Sequence, residues 1–187
     1  MIGLFGGAFD PPHNGHLALA TTAKQELGLD SLVVLVSSAP AHKTIATPAD
    51  VRLALAQAAF PDDEVVLDPL PRTVDLLRVH PEWEDATFLL GADEFCDLRS
   101  WKEPDEVLRR VEIAVATRPG FPEERLDAVL DGLATPGRVR FFEIEPHAIA
   151  SRDLRSALDR GNDVHDLVPA SVWALIERDG LYGRGSG

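Results

Sequence analysis

Six short apolar runs alternate along this chain with stretches of helical periodicity. The runs are Ile2–Phe5, Leu32–Val36, Glu64–Leu67, Thr87–Leu90, Glu112–Ala116 and Val139–Ile144. Short, nearly continuous apolar runs read as strands buried on both faces. Strands of that kind joined through helices form a doubly wound, mostly parallel α/β sheet. Ligands in such sheets bind beyond the carboxyl ends of the strands, where the strand order switches. The pattern therefore predicts both a fold and a place to look for function.

Three helices are well marked. The first spans Pro48–Phe60, with Val51, Ala54, Leu55, Ala58 and Ala59 on one face, Thr47 as N-cap, Pro48 at the first position and Asp50 in the first turn. The second begins near Ser151, turns Leu154, Ala157 and Leu158 inward and ends at Gly161. The third runs from Pro169 to Asp179, with Val172, Leu175 and Ile176 inward and Gly180 as terminator. These give the chain a helical C-terminal part. Residues 1–182 read as one domain, and Gly183–Gly187 as a flexible tail.

The densest chemistry lies in Gly6-Gly7-Ala8-Phe9-Asp10-Pro11-Pro12-His13-Asn14-Gly15-His16, between the first strand and a helix starting near Asn14. Gly6 and Gly7 let backbone approach an anion, and Gly15 does the same inside the helix start. That helix start offers unpaired N–H groups and the positive end of its dipole, so a phosphate is stabilised there by backbone alone. His13 and His16 fall on one side of a first turn and can reach one phosphate. The same spacing also suits a metal site.

Net charge is −13, which argues against nucleic acid and membrane surfaces, both polyanions, as partners. Cys96 is the single cysteine, so no internal disulfide forms, and a cytoplasmic protein is expected. The first strand begins at Met1, leaving no room for a signal peptide, and no apolar run nears the ~20 residues of a membrane span. Neither a P-loop nor a Gly-x-Gly-x-x-Gly fingerprint occurs.

Further positions can converge on the same crevice. Lys43, in Pro40-Ala41-His42-Lys43, can neutralise a phosphate, or be an ordinary loop lysine. Gly91 allows close approach, and Asp93 can accept bonds from a ribose or serve as a helix N-cap. Trp101, beside Lys102, can stack on a flat ring or anchor the core. Ser151 would cap a second anion-ready helix start, with Arg152 and Arg155 within reach of a phosphate. Two such helix starts, one with paired histidines and one with arginines, suggest a polyphosphate clamp.

Together these residues resemble the nucleotidyltransferase superfamily with the His-x-Gly-His motif. The series Gly91-Ala92-Asp93, Trp101-Lys102, Arg118-Pro119-Gly120 and Leu167-Val168-Pro169 with Gly180-Leu181-Tyr182 narrows the likeness to bacterial nicotinate mononucleotide adenylyltransferases. The resemblance implies a Rossmann-like nucleotidyltransferase fold. It implies that the phosphate of a pyridine mononucleotide attacks the α-phosphorus of ATP, giving deamido-NAD and pyrophosphate. Mg²⁺ assists, held mainly by the ATP phosphates rather than by side chains. Under this resemblance His13, His16 and Arg155 are catalytic. ATP is bound by Gly7, Ala8, Phe9, Gly15, Lys43, Gly91, Asp93, Ser151 and Arg152, and the acceptor by Arg72, Thr73, Trp101 and Lys102.

Two departures stand out. Ala150 and Arg152 replace a serine and a threonine of the family's terminal motif, and Arg72 precedes Thr73-Val74-Asp75 where the family usually has tyrosine. Arginine binds a carboxylate bidentately, so Arg72 is a candidate for reading an acidic ring substituent. The remaining readings are a related transferase using nicotinamide mononucleotide or phosphopantetheine, a cytidylyltransferase, and a nucleotide-binding paralogue without catalysis. A homo-oligomer is left open by the sequence.

Overall fold

The computed structural model describes residues 1–38, 46–146 and 149–183. Six strands, β1 (Ile2–Gly7), β2 (Ser31–Ser37), β3 (Glu64–Asp68), β4 (Thr87–Gly91), β5 (Glu112–Thr117) and β6 (Val139–Glu143), form one sheet in the order β3-β2-β1-β4-β5-β6. Every neighbouring pair is parallel. All six predicted strands are present, within one or two residues at their ends.

Period-two alternation splits the strand residues between two cores. Phe5, Val34, Val36, Leu89, Ala114 and Ala116 face one side, while Leu4, Val33, Leu35, Phe88, Leu90, Ile113 and Val115 face the other. The first side is covered by α1 (Asn14–Leu27), α2 (Ala49–Ala59), α7 (Ser151–Asp159) and α8 (Ala170–Arg178). The second is covered by α3 (Thr73–Val79), α4 (Ala92–Cys96), α5 (Pro104–Arg110) and α6 (Glu123–Leu130). Fully burying a leucine such as Leu89 is worth roughly 1.5–3 kcal/mol, and both faces carry many such residues. Helices α3 to α6 have five to eight residues each, too short for a clear periodic signal. Each holds its place through two or three buried residues, among them Leu76, Phe95, Val107 and Leu126.

Two local expectations need correction. In α2 the inward face is Arg52, Leu55, Ala56 and Ala59, and Ala54 is exposed. The rotation follows from Arg52, whose guanidinium is buried because backbone carbonyls surround it. Pro48 rather than Thr47 occupies the N-cap, and Thr47 turns its carbonyl to Arg52 Nε at 3.1 Å. The glycine terminators hold: Gly161 and Gly180 adopt positive φ of 77° and 61°.

The site's position follows from register. β1 pairs with β2 as far as Gly7, and β4 with β5 as far as Gly91. Between β1 and β4 the ladder stops at Phe5 and Leu89. A crevice therefore opens at the carboxyl ends, where the chain order switches from β1 to β4.

Candidate active site

A cavity of about 820 Å³ fills that crevice. Gly7, Ala8, Phe9, His13, Gly15, His16, Arg72, Thr73, Gly91, Asp93, Trp101, Lys102, Ser151, Arg152 and Arg155 all line it. Thus the positions selected from distant parts of the sequence meet in one space. Lys43 lies outside the described residues.

The loop after β1 makes the anion side. Phe9 is 1% exposed with φ of +49°, a left-handed conformation unusual for a bulky residue. That twist drives its ring inward, edge-on to Phe5 at 5.3 Å and against the His16 ring at 5.0 Å. It also bears on Gly7, while Gly6 faces a different ring. A Cβ on Gly7 would sit 3.0 Å from the Phe9 ring, and one on Gly6 would sit 3.1 Å from Phe88. Ring packing favours both glycines, since a side chain at either would press on a ring, in addition to any approach of a ligand. Phe9 thus lines the cavity while almost wholly buried.

His13 is the N-cap of α1 and is buried, and its backbone N–H donates to His16 Nδ1 at 3.1 Å. An Nδ1 that accepts carries no proton, so the neutral His16 ring has its N–H at Nε2. The two rings lie with centroids 3.8 Å apart. Gly15 sits between them in the first turn.

The second helix start differs from expectation in one respect. Ala150, not Ser151, is the N-cap of α7. Ser151 is the first helical residue, and its hydroxyl donates to the carbonyl of Pro11 at 3.0 Å. Arg155 Nη1 donates to the carbonyl of Asp10 at 2.6 Å and lies 3.4 Å from Asp10 Oδ2. Arg152 sits on the rim, 86% exposed, beside Asp153. α7 is thus bolted to the β1 loop by two side chains.

Three residues behind that loop were given no site role by the sequence reading: Asp10 and Tyr182 enter it only as parts of motifs, and Arg52 not at all. Arg52, 1% exposed, donates from Nη1 to the carbonyls of Ala8 at 2.9 Å and Ser37 at 2.7 Å, and from Nη2 to Ser38 at 3.3 Å. Asp10 is also 1% exposed and accepts the Tyr182 hydroxyl at 2.7 Å. Burial and the neighbouring Asp10 charge raise the Tyr182 pKa, so the phenol stays protonated and donates. No local pattern gives these residues a common role; only the tertiary fold brings positions 10, 52 and 182 together.

On the opposite side, Trp101 is half-buried, edge-on to Phe88 at 6.1 Å, so it is both core anchor and cavity wall. Lys102 Nζ binds both Asp75 oxygens, at 2.9 and 3.0 Å. That bond, with help from Arg78, holds the Asp75 carboxyl below the usual carboxylate range. Asp68, also in the wall, has its carboxyl raised by burial, against the Leu70 N–H that it accepts at 2.8 Å. Arg72 caps α3 with its backbone carbonyl, received by the N–H groups of Asp75 and Leu76, and Thr73 begins the helix. Asp93 is not an N-cap: Gly91 takes that position in α4, and Asp93 lies between Arg118 at 3.4 Å and Arg125 at 3.5 Å. A Cβ on Gly91 would meet nothing within 4 Å.

A family model described as cytidylyltransferase-like matches residues 4–165. The chain is 34% identical over 97% of its length to a protein of Rubrobacter xylanophilus named "Probable nicotinate-nucleotide adenylyltransferase", covering 91% of that relative. It is 35% identical over 97% of its length to one of the same name from Thermus thermophilus, covering 98% of it. Among solved structures, Plasmodium falciparum nicotinic acid mononucleotide adenylyltransferase complexed with NaAD superposes with a TM-score of 0.73 over 98% of each chain. At 20% identity that likeness concerns the fold.

Proposed function

This chain belongs to the cytidylyltransferase-like family, and we propose that it is a nicotinate-nucleotide adenylyltransferase, joining the AMP part of ATP to nicotinate mononucleotide. The observation that carries this is the convergence of two anion-ready helix starts, at Asn14 and Ser151, on a cavity whose far wall holds Trp101, Arg72 and Lys102. One wall suits a triphosphate and the other a charged aromatic mononucleotide. Names of near full-length relatives point to the same pair of substrates.

The mononucleotide phosphate oxygen attacks the α-phosphorus of ATP. A new P–O bond forms there, the bond to the bridging α–β oxygen breaks, and pyrophosphate leaves with the electron pair. The attacking phosphate is already anionic, so no strong base is needed. Rate then comes from alignment and from stabilising charge on the transferring group. His16 donates its Nε2–H to that group. His13, Arg155 and the backbone from Gly7 to Phe9 hold the triphosphate, with Gly15, Ser151, Arg152 and Lys43 contributing. Asp93 meets the adenosine ribose beside Gly91. Trp101, Thr73, Lys102 and Arg72 receive the acceptor.

Mg²⁺ is assigned to the triphosphate oxygens, where it would offset their charge. Among the described residues no three His, Cys, Asp or Glu side chains gather as ligands, and Asp10 is engaged by Tyr182 and Arg155. No described helix is long and apolar enough to cross a membrane; we assign the reaction to the cytoplasm.

The test is pyrophosphate release from ATP and Mg²⁺ with nicotinate mononucleotide, nicotinamide mononucleotide or phosphopantetheine. Release is expected to be fastest with the first. Release with phosphopantetheine alone would move the chain to another transferase. ATP binding without release in any mixture would make it a binding module.

A further inference from the structure

Arg155 is held from behind by a buried carboxylate and a half-buried phenol that no bond-making step uses. Asp10 is 1% exposed, its Oδ1 accepts the Tyr182 hydroxyl at 2.7 Å, and its Oδ2 faces Arg155 Nη1 at 3.4 Å. Arg155 itself remains 34% exposed and lines the cavity. Tyr182 comes from the last turn, Leu181–Gly183, and adopts a left-handed φ of 57° to bring its hydroxyl to this point. Such a backbone is unfavourable for a tyrosine.

A buried carboxylate is a poor choice for stability alone. Its desolvation is costly, and apolar side chains of similar volume fill such space at least as well. What the carboxylate supplies is direction. With Oδ1 fixed by the phenol, Oδ2 is fixed too, and its charge, 3.4 Å from Nη1, joins the Asp10 backbone carbonyl, which accepts from Nη1 at 2.6 Å, in setting where the guanidinium points. The chain brings together positions 10, 155 and 182 from three separate elements to build this arrangement.

We propose that Tyr182 and Asp10 are positioning residues that aim Arg155 at the triphosphate, making the C-terminal turn part of the nucleotide site. The kinetic side of this rests on the adenylyl-transfer reading; the binding side rests only on ATP entering the cavity.

The experiment compares wild type, Tyr182→Phe, Arg155→Met and the double variant. ATP affinity is measured by calorimetry well below each melting transition, with steady-state kinetics alongside. Tyr182→Phe should weaken ATP about tenfold, the scale of a hydrogen bond to a charged group. The KM for the mononucleotide should stay within about twofold, because acceptor contacts are untouched. In the Arg155→Met background the same change should cost less than about twofold, since the two act as one unit. A lowered melting temperature with unchanged ATP affinity would overturn the proposal, as would equal losses in both backgrounds. Asp10→Asn serves if the phenylalanine variant does not fold: it keeps an acceptor for the phenol but drops the charge facing Arg155. It should also weaken ATP about tenfold, and unchanged affinity would overturn the tether. Wild type that binds ATP yet releases no pyrophosphate would defeat the transfer reading alone, leaving the affinity cycle to decide the tether.

Discussion

The backbone N–H of His13 donates to Nδ1 of His16 at 3.1 Å, so one histidine of the opening motif sets the tautomer of the other. The ring is fixed further by Phe9, centroid to centroid at 5.0 Å. A donor locked in place before substrate arrives needs no reorganisation as charge develops. The two histidines thus have different proposed tasks: His13 caps the helix start where the triphosphate is held, and His16 presents an N–H.

His16→Ala should lower kcat by about 10²–10³-fold, the usual loss for one donor to a transition state. His16→Gln, which can present an N–H near the Nε2 position, should recover part of that. Pyrophosphate release gives the rates, and circular dichroism checks that both variants fold. An alanine variant within about threefold of wild type would remove the transition-state role.

Arg72 borders the acceptor side of the cavity at the start of α3. If it reads the ring carboxylate, Arg72→Ala should lower kcat/KM for the acid mononucleotide about tenfold or more and leave the amide nearly unchanged, since a charged bidentate pair is lost only for the acid. The ratio of the two kcat/KM values is the measurement. An unchanged ratio assigns selectivity elsewhere.

The strand positions, the parallel sheet and the crevice at its carboxyl ends were legible because they follow from local signals, apolar runs and a Gly-Gly loop before a helix; the strand order itself was not. The reason for the glycines was only half legible. Gly6 and Gly7 are also favoured by the Phe88 and Phe9 rings, and the Gly7 contact is visible only once Phe9 turns inward at positive φ. Ser151 shows the opposite limit. It looks like an N-cap, yet the carbonyl of Pro11 captures its hydroxyl and Ala150 takes the cap. Arg52 looks like a surface charge on a polar helix position, and it is buried because four carbonyls converge on it.

Those carbonyls, of Thr47, Ala8, Ser37 and Ser38, join the β1 loop, the end of β2 and the approach to α2. Arg52→Met would leave them without this donor at part-buried positions, at roughly 1–3 kcal/mol for each that water cannot reach. The expected net loss is about 3 kcal/mol or more, read from denaturant unfolding. Arg52→Lys should fall between, because an ammonium has three donors from one point rather than a planar fork. A methionine variant as stable as wild type would show that the loop is held without the guanidinium.

His165 lies 3.0 Å from both Asp163 and Asp166, while the Asp166 carbonyl accepts Asn14 Nδ2 at the start of α1. The Asp163 hydrogen bond, then the charges of Asp163 and Asp166, raise its pKa above the ordinary 6.5. The charged ring is therefore favoured by folding. Its stabilisation is fully present below the unfolded value and disappears as pH rises through the folded one. Asp163→Asn should move the ring titration downward by NMR. Its melting-temperature penalty should be larger near pH ~5.5 than near pH ~8.5. A penalty that does not change with pH would mean the contact is not ionic.

Gly91 separates stability from binding. Its φ of −77° suits any residue, and a Cβ there meets no protein atom within 4 Å. Gly91→Ala should therefore fold as well as wild type, and slightly more stably, since the unfolded chain loses freedom. The added methyl points into space that the nucleotide is proposed to fill, so the KM for ATP should rise several-fold while the melting temperature holds or increases. Thermal melts and initial rates on one preparation decide it. An unchanged KM would mean that the adenosine does not pass over the end of β4, and Asp93 would lose its place beside the ribose.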